Sequence, residues 1–307
     1  MSALSLTLAT RGSALARWQT DHIAALLSAR HPDLAVEVLV VETEGDRRAD
    51  VPIHQLGGRG VFAKEVQQAL LDGHADVAVH SAKDLTSTPP EGLVLAAIPE
   101  RADPRDALVG SRLDDLATGD TVATGSVRRR AQLGNLRPDL CFAGLRGNID
   151  TRLEKAEHFG AIVMAAAALD RLGRTPPVVE RLAADVMVPQ VGQGALAIEC
   201  RADDAAVASL LATIEHQPSR RAVDAERAFL ATLGGSCDLP VGAHAVIDSS
   251  GEIHLDGVLC ALDGSRVIRH GGRGMDPAAL GRTTATHLVD RMGGADLLDE
   301  VRSDLAT

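Results

Sequence analysis

Apolar segments of strand length alternate with amphipathic segments of helix length from the N-terminus to about residue 213. Residues 4–9 (LSLTLA) read as a strand. Residues 13–29 then place Leu15, Trp18, Ile23, Leu26 and Leu27 on roughly one helical face. Residues 35–41 (AVEVLVV) are a buried strand, 61–72 a helix, and 76–80 and 93–98 two further strands. Alternation of this kind closes only as an α/β domain, a largely parallel sheet with helices on both faces. The polar, Gly-rich stretch 42–60 interrupts the pattern and is, by composition, the candidate lid.

Residues 99–106 (PERADPRD) are rich in Pro and charge and read as a linker. Beyond them the alternation restarts with strands at 121–124, 139–143 and 161–165 and helices at 127–135, 148–158 and 166–172. One more strand (195–200) and a helix near 204–213 follow. After that come an amphipathic helix at 219–233, short strands near 241–248, 252–262 and 265–271, and a helix at 277–292. The expectation is three domains. Two are doubly wound α/β domains, 1–99 (with a return segment 195–213) and 103–190, and the third is a small α+β domain, 217–307. The length of 307 residues suits two to three domains of about 150 residues or fewer.

A net charge of −11 and only five aromatic residues (Trp18, Phe62, Phe142, Phe159 and Phe229) argue against a nucleic-acid or membrane-surface binder. Nothing approaches the roughly 18 apolar residues of a membrane span, and MSALSLTLATRGS reads as a first strand, not a leader. Cys141, Cys200, Cys237 and Cys260 lack zinc spacing, so reduced thiols in the cytoplasm and no metal are expected. Three of them fall in strand patterns and read as core; Cys237 lies in the Gly-rich loop Gly234–Asp238. An accessible thiol there can act as a nucleophile or as a point of covalent attachment.

The 28 arginines against three lysines fit either a coding bias or a need for bidentate carboxylate recognition. Position distinguishes these. Thr10-Arg11-Gly12-Ser13 is a strand–turn–helix junction, where backbone N–H groups form an anion site, although Ser13 also serves as a plain helix cap. TGSVRRR (124–130) repeats the junction, and Arg146-Gly147-Asn148 follows the next strand. Residues 128–155 hold seven Lys/Arg and three Asp/Glu, a local +4. Arginines just past strand ends lie where open α/β sheets bind ligands, which points to a ligand with several carboxylates. Lys83-Asp84 at the end of strand 76–80 is either an exposed ion pair or a carboxylate held in a cationic cleft to meet a developing positive charge; the local sequence allows both.

Taken together these segments resemble the porphobilinogen deaminase (hydroxymethylbilane synthase) family over essentially the full length. The matching stretches are RGSALARWQ (11–19), GGRGVFAKEVQQALL (57–71), HSAKDL (80–85), TGSVRRRAQL (124–133), LRGNIDTRL (145–153), VGQGALAIE (191–199) and ERAFLATLGGSCDLPVGAHA (226–245). The resemblance implies two domains built like periplasmic binding proteins plus a third, small one. It implies a transferase that deaminates four porphobilinogens and joins them head to tail on a covalent dipyrromethane cofactor. Linear hydroxymethylbilane is then released by hydrolysis and passes to a uroporphyrinogen-III synthase. By the same resemblance Asp84 is the catalytic carboxylate, and Cys237 carries the cofactor through a thioether. Ser81, Lys83, Asp84, Ser126, Arg128, Arg129 and Arg146 contact that cofactor. Arg11, Ser13, Arg152 and Arg171 bind substrate carboxylates, and Phe62 either packs on a pyrrole or is core. A monomer is expected.

The chain departs from the family pattern at Arg59, where Lys is common, and at Ala82, Leu85 and Thr86, where Met, Val and Pro are common. Ser236 stands before the attachment cysteine in place of Gly, and Arg130 is an extra charge with no assigned role. Losing proline at 86 would loosen the turn after Asp84. The competing reading is an anion-binding protein without catalysis, which would share the cleft and the arginines but would not need Asp84 and Cys237 together.

Overall fold

A computed structural model of the chain describes residues 5–44, 60–235 and 239–306. The first of two five-stranded sheets contains β1 (Ser5–Arg11), β2 (Ala35–Val41), β3 (Val77–Ser81), β4 (Leu93–Ala97) and a late strand, β10 (Leu196–Arg201), in the order β2-β1-β3-β10-β4. The second contains β5 (Asp106–Val109), β6 (Thr121–Ala123), β7 (Cys141–Ala143), β8 (Ala161–Ala165) and β9 (Val179–Leu182), in the order β7-β6-β8-β5-β9. The two sheets follow the same path. In each, four strands share one direction and the fourth place holds one antiparallel strand, β10 or β5. The chain leaves the first sheet after β4 and enters the second as its antiparallel strand, then returns to become the antiparallel strand of the first. An antiparallel neighbour needs no crossover helix, so both crossings stay short.

This arrangement corrects the linker expected at 99–106, because Asp106 already belongs to β5, a fully buried strand. Four residues at the end of a Pro- and charge-rich stretch carry too little periodicity to announce a strand, and β9 escaped notice for the same reason. The helix expected at 148–158 is shorter, ending at Lys155 with one further turn of 3₁₀ helix. Cys141, expected in the core, is exposed at the start of the edge strand β7, while Cys200 and Cys260 are buried. Residues 45–59 of the candidate lid, Arg59 among them, and Ser236 and Cys237 lie outside the described residues.

Helices α1 (Ala14–Arg30), α2 (Lys64–Leu71) and α6 (Ala205–Ala212) cover the first sheet, and α3 (Val127–Leu136), α4 (Ile149–Lys155) and α5 (Ala166–Arg171) the second. Helix α1 buries Ala16, Gln19, Thr20, Ile23 and Leu27, so its inner face is rotated from the expected one and Trp18 is exposed. The C-terminal unit packs α7 (Gln217–Thr232), α8 (Pro277–Arg291) and α9 (Gly294–Ala306) against an antiparallel sheet of β11 (Val241–Ile247), β12 (Ile253–Cys260) and β13 (Val267–Gly274). Phe229 of α7 lies at the centre of that core, and Leu297, Leu298 and Val301 of α9, a helix unread in the sequence, close it.

The C-terminal unit joins both others. Val223 of α7 packs with Ala63, Ala82, Leu85, Ile98, Ala195 and Ala197 of the first unit, and Val258 and Cys260 pack with Ala131 and Val188 of the second. Helix α7 ends in two helix-stop hydrogen bonds, Gly235 N–H to Leu230 O (2.9 Å) and Gly234 N–H to Ala231 O (3.1 Å). Gly234 has φ +78°, which a side chain would resist, so these glycines set where the segment leading to Cys237 departs.

Candidate active site

Each α/β sheet changes winding direction at its central strands, and the carboxyl ends beside that point form the crevice where such folds bind ligands. In the first sheet the β1 end presents Arg11 and Ser13, and the β3 end presents Ser81, Lys83 and Asp84. In the second, the β6 end presents Ser126, Arg128 and Arg129, and the β7 end presents Arg146, with Arg152 one turn into α4. Two of the serines have local work. Ser13 Oγ accepts from Ala16 N–H at 3.2 Å and Ser126 Oγ from Arg129 N–H at 3.4 Å, so each caps the helix that follows it. The two loops of the second sheet touch at Gly125, where a Cβ would stand 2.7 Å from the Leu145 carbonyl oxygen. Only glycine lets the arginines of both loops converge.

Arg128 and Arg129 are almost wholly buried, at 2% and 6% exposure, and share one counter-charge, the fully buried Asp106 of β5. Arg128 Nη1 lies 2.8 Å from Asp106 Oδ2 and donates to Val188 O at 2.7 Å. Arg129 Nε donates to Asp106 Oδ1 at 2.8 Å, Nη1 to Val163 O at 3.1 Å and Nη2 to Gln193 Oε1 at 3.3 Å. Gln193 Nε2 in turn donates to Asp106 Oδ1 at 2.9 Å. Burial alone would raise the Asp106 carboxyl, but the charges of Arg128 and Arg129 outweigh it and hold the group well below the usual carboxylate range. Each nitrogen of Arg129 thus has a protein partner, whereas among the described residues Nε and Nη2 of Arg128 are buried without one. Buried guanidinium nitrogens in that state fit an acceptor supplied from outside.

Around this pair the cations crowd one another. Lys83 is pushed down to about 8 by burial and then by Arg129, with Asp84, Asp106 and Arg152 also acting on it. Arg152 is pushed down to about 10 by burial and by Arg129 and Arg146, with Asp84 opposing; its Nε donates to Gly147 O at 2.7 Å. Two carboxylates act within this cluster of cations: Asp106, taken up by Arg128 and Arg129, and Asp84, which offsets the crowding of Lys83 and Arg152. A narrow cavity of about 20 Å³ lies where the three units meet, lined by Ala82, Lys83, Ser126, Arg128, Arg227 and Leu239 among others.

Multi-carboxylate binding should therefore be linked to protons. A bound carboxylate favours the ammonium form of Lys83 and raises its titration above 8. Binding at pH 8 should take up protons, while at pH 6, where Lys83 is already charged, its share should vanish. Titration calorimetry in buffers of different ionisation enthalpy reads this difference directly.

The other predicted residues sit further along the cleft walls. The Arg11 guanidinium stands 4.2 Å above the half-buried Phe62 ring, a cation–π pair within the first unit. Arg171 lies 5.9 Å over Trp18 of α1, donates to Gly194 O at 2.8 Å and is pushed down to about 10 by burial. Ser81 ends β3, paired with Leu196.

Sequence reasoning missed Asp106 and the polar residues that bind the crossings together. Arg101 in the first crossing donates to both Glu226 oxygens, at 2.7 and 3.2 Å, and Glu226 also accepts from Gly192 N–H and Ala245 N–H. One buried carboxylate of α7 thereby ties both crossings to β11. Glu226 and Gln193 stand inside the quoted motifs, but nothing local marks their partners.

Comparison with known proteins accords with this geometry. The sequence profile described as porphobilinogen deaminase, dipyromethane cofactor binding domain, matches residues 6–209, and that of the porphobilinogen deaminase C-terminal domain matches residues 221–290. A porphobilinogen deaminase of Nitratidesulfovibrio vulgaris (strain DSM 19637 / Miyazaki F) is 47% identical over 307 residues, covering 96% of each chain. One of Bacillus pumilus is 43% identical over 99% of each chain, and one of Roseiflexus castenholzii is 48% identical over 95% of this chain and 98% of its own. With two profiles in order and relatives of this identity over nearly the full length, the chain belongs to the porphobilinogen deaminase family.

Proposed function

We propose that the chain is a hydroxymethylbilane synthase, deaminating and condensing four porphobilinogens on a dipyrromethane held through Cys237 and releasing the linear product by hydrolysis. The observation that carries this reading is a cluster of cations in a chain of net charge −11: Lys83 and Arg152 lie within reach of the Asp84 charge and of Arg129, Arg146 acts on Arg152, and Arg128 shares a cavity with Lys83. Dipyrromethane, when bound, would supply the free pyrrole carbon to which the first unit is joined, each later unit joining the ring added before it. The side chains here fit such a group. Arg128 keeps two buried nitrogens unpartnered, and pyrrole acetates and propionates are the acceptors they lack. Cys237 itself is not among the described residues, but Leu239, two residues on, lines the cavity that also holds Lys83 and Arg128.

The chain's own residues divide the work. Lys83, Arg128, Arg146 and Arg152 hold carboxylates, and Arg11 and Arg171 extend that surface along the cleft toward arriving substrate. Asp84 accepts pyrrole N–H groups and faces the positive charge that develops on the substrate methylene as ammonia departs. A carboxylate fixed there before the charge appears is electrostatic preorganisation. In this reading the working parts are domains 1–99 with 195–213, 103–190 and 217–307, acting as a monomer in the cytoplasm. The product passes to a uroporphyrinogen-III synthase. Among the described residues, no helix is long and apolar enough to cross a membrane.

The intact mass of the purified protein tests the reading. An excess equal to two condensed pyrrole units, absent from Cys237→Ala, is the expected result, together with release of hydroxymethylbilane from porphobilinogen. Wild-type protein with no such excess after incubation with porphobilinogen, yet retaining affinity for polycarboxylates, would favour the non-catalytic anion binder.

A further inference from the structure

The turn that bears Asp84 is held by parts of the molecule distant in sequence. Ala82 N–H donates to Ala195 O at 3.0 Å, and Gln190 Nε2 donates to Lys83 O at 3.4 Å. Leu85 is buried against Val223 and its neighbours. Past Leu85 the first long-range tether among the described residues is Arg227 Nη2 of α7, which donates to the Ser87 carbonyl at 3.0 Å; the next, Ala202 N–H to Gly92 O, comes only at the start of β4. Thr86 contributes only a local bond, its Oγ1 to Thr88 O at 2.7 Å.

Arg227 is a costly residue to place there. It is 8% exposed, its charge is disfavoured by burial, and Glu199 and Asp224 partly offset that burial while Arg220 adds to it. It lines the cavity containing Lys83 and Arg128, and also a larger groove of about 780 Å³ behind it, with Ser87, Pro89 and Asp224. It stands on α7, whose glycine stop launches the segment that carries Cys237.

We propose that Arg227 is a positioning residue for Asp84: by holding the Ser87 carbonyl it sets where the turn places that carboxylate relative to the attachment segment at the end of α7. The proposal rests on the synthase reading above, since it concerns the carboxylate that reading makes catalytic. A salt bridge elsewhere on α7 steadies the domain, but among the described residues only Arg227 joins this helix to the turn by a direct hydrogen bond. The consequence is specific: loss of the tether leaves the carboxylate-binding cations in place and misplaces Asp84. Misplacement by about 1 Å costs on the order of 10²-fold in rate.

The test uses full-length protein carrying its cofactor, with steady-state kinetics on porphobilinogen and intact mass for each variant. Arg227→Met should lower kcat by about 10- to 100-fold with KM nearly unchanged and the cofactor mass retained. Arg227→Lys keeps the buried charge but loses the planar fork; it should show the same split and serves if the Met variant does not fold. A second substitution tests the route. Leu85 already sits at φ −81°, ψ 148°, the extended conformation a following proline requires, and among the described residues the Thr86 N–H makes no backbone hydrogen bond. Thr86→Pro stiffens the turn from within and should restore much of the kcat lost in Arg227→Met, with little effect alone. Undiminished kcat in both Arg227 variants overturns the proposal, as does a loss that tracks melting temperature and is not relieved by Thr86→Pro. Wild-type protein without synthase activity overturns the parent reading as well, so the two failures are distinct.

Discussion

Asp84→Asn should lower kcat by about 10³-fold, roughly 4 kcal/mol of barrier, without raising KM. The two effects separate because the side chain has two electrostatic relations. Toward a substrate losing ammonia it supplies negative charge where positive charge develops, and a neutral amide of the same size cannot. Toward Lys83 and Arg152 it is a counter-charge that offsets part of their crowding. Removing it leaves those cations freer for ligand carboxylates, so ground-state affinity should hold or improve. Steady-state kinetics at saturating porphobilinogen decide the matter. A variant that keeps kcat and loses affinity would reduce Asp84 to an ion-pair partner.

The second large effect belongs to a residue no ligand need touch. Asp106→Ala should destabilise the second α/β unit by about 3–5 kcal/mol, because it strands Arg128 and Arg129 in the interior without their shared counter-charge. Asn at the same place keeps the shape and one acceptor for Arg129 but loses the charge, so its cost should be smaller. Denaturant unfolding of wild type and both variants measures this. The pH dependence has a defined sign. The folded carboxyl titrates below its unfolded value, so its contribution is fully present above the ordinary carboxylate range of about 4 and is lost as pH falls below it. Wild type and Asp106→Asn should therefore converge in stability on acidification from pH 5 and stay parallel between pH 5 and 8. Activity should fall too, since the β5 carboxylate aims the first turn of α3 into the cleft.

The contrast between these two residues shows what could be read in the sequence. Asp84 stood out because it follows a strand end directly and sits beside a lysine, but its role as ion-pair partner or catalytic carboxylate stayed open locally and came only from the family resemblance. Arg128, Arg146 and Arg152 stood out by place in the same way, each just past a strand or in the first turn of a helix. Asp106 did not. It stands in PERADPRD, where proline and charge suggest a linker, and its partners are 22, 23 and 87 positions away. Trp18 misled in the opposite sense. It counted toward an apolar helix face, yet it lies exposed under Arg171 of the other α/β unit, a contact between units that periodicity within one helix does not encode.

The sequence by itself determined the α/β class, the strand-end turns on which the arginines stand and most element positions, because these follow from periodicity and from groups only a few residues apart. The tertiary structure alone decided the antiparallel entry of β5 and β10, the sharing of Asp106 between two arginines, the Arg101–Glu226 pair and the Arg227 tether to Ser87. Each of these pairs a buried charge or polar backbone group with a partner chosen by chain crossing. Burial demands that every such group be partnered, but local sequence does not say by which residue.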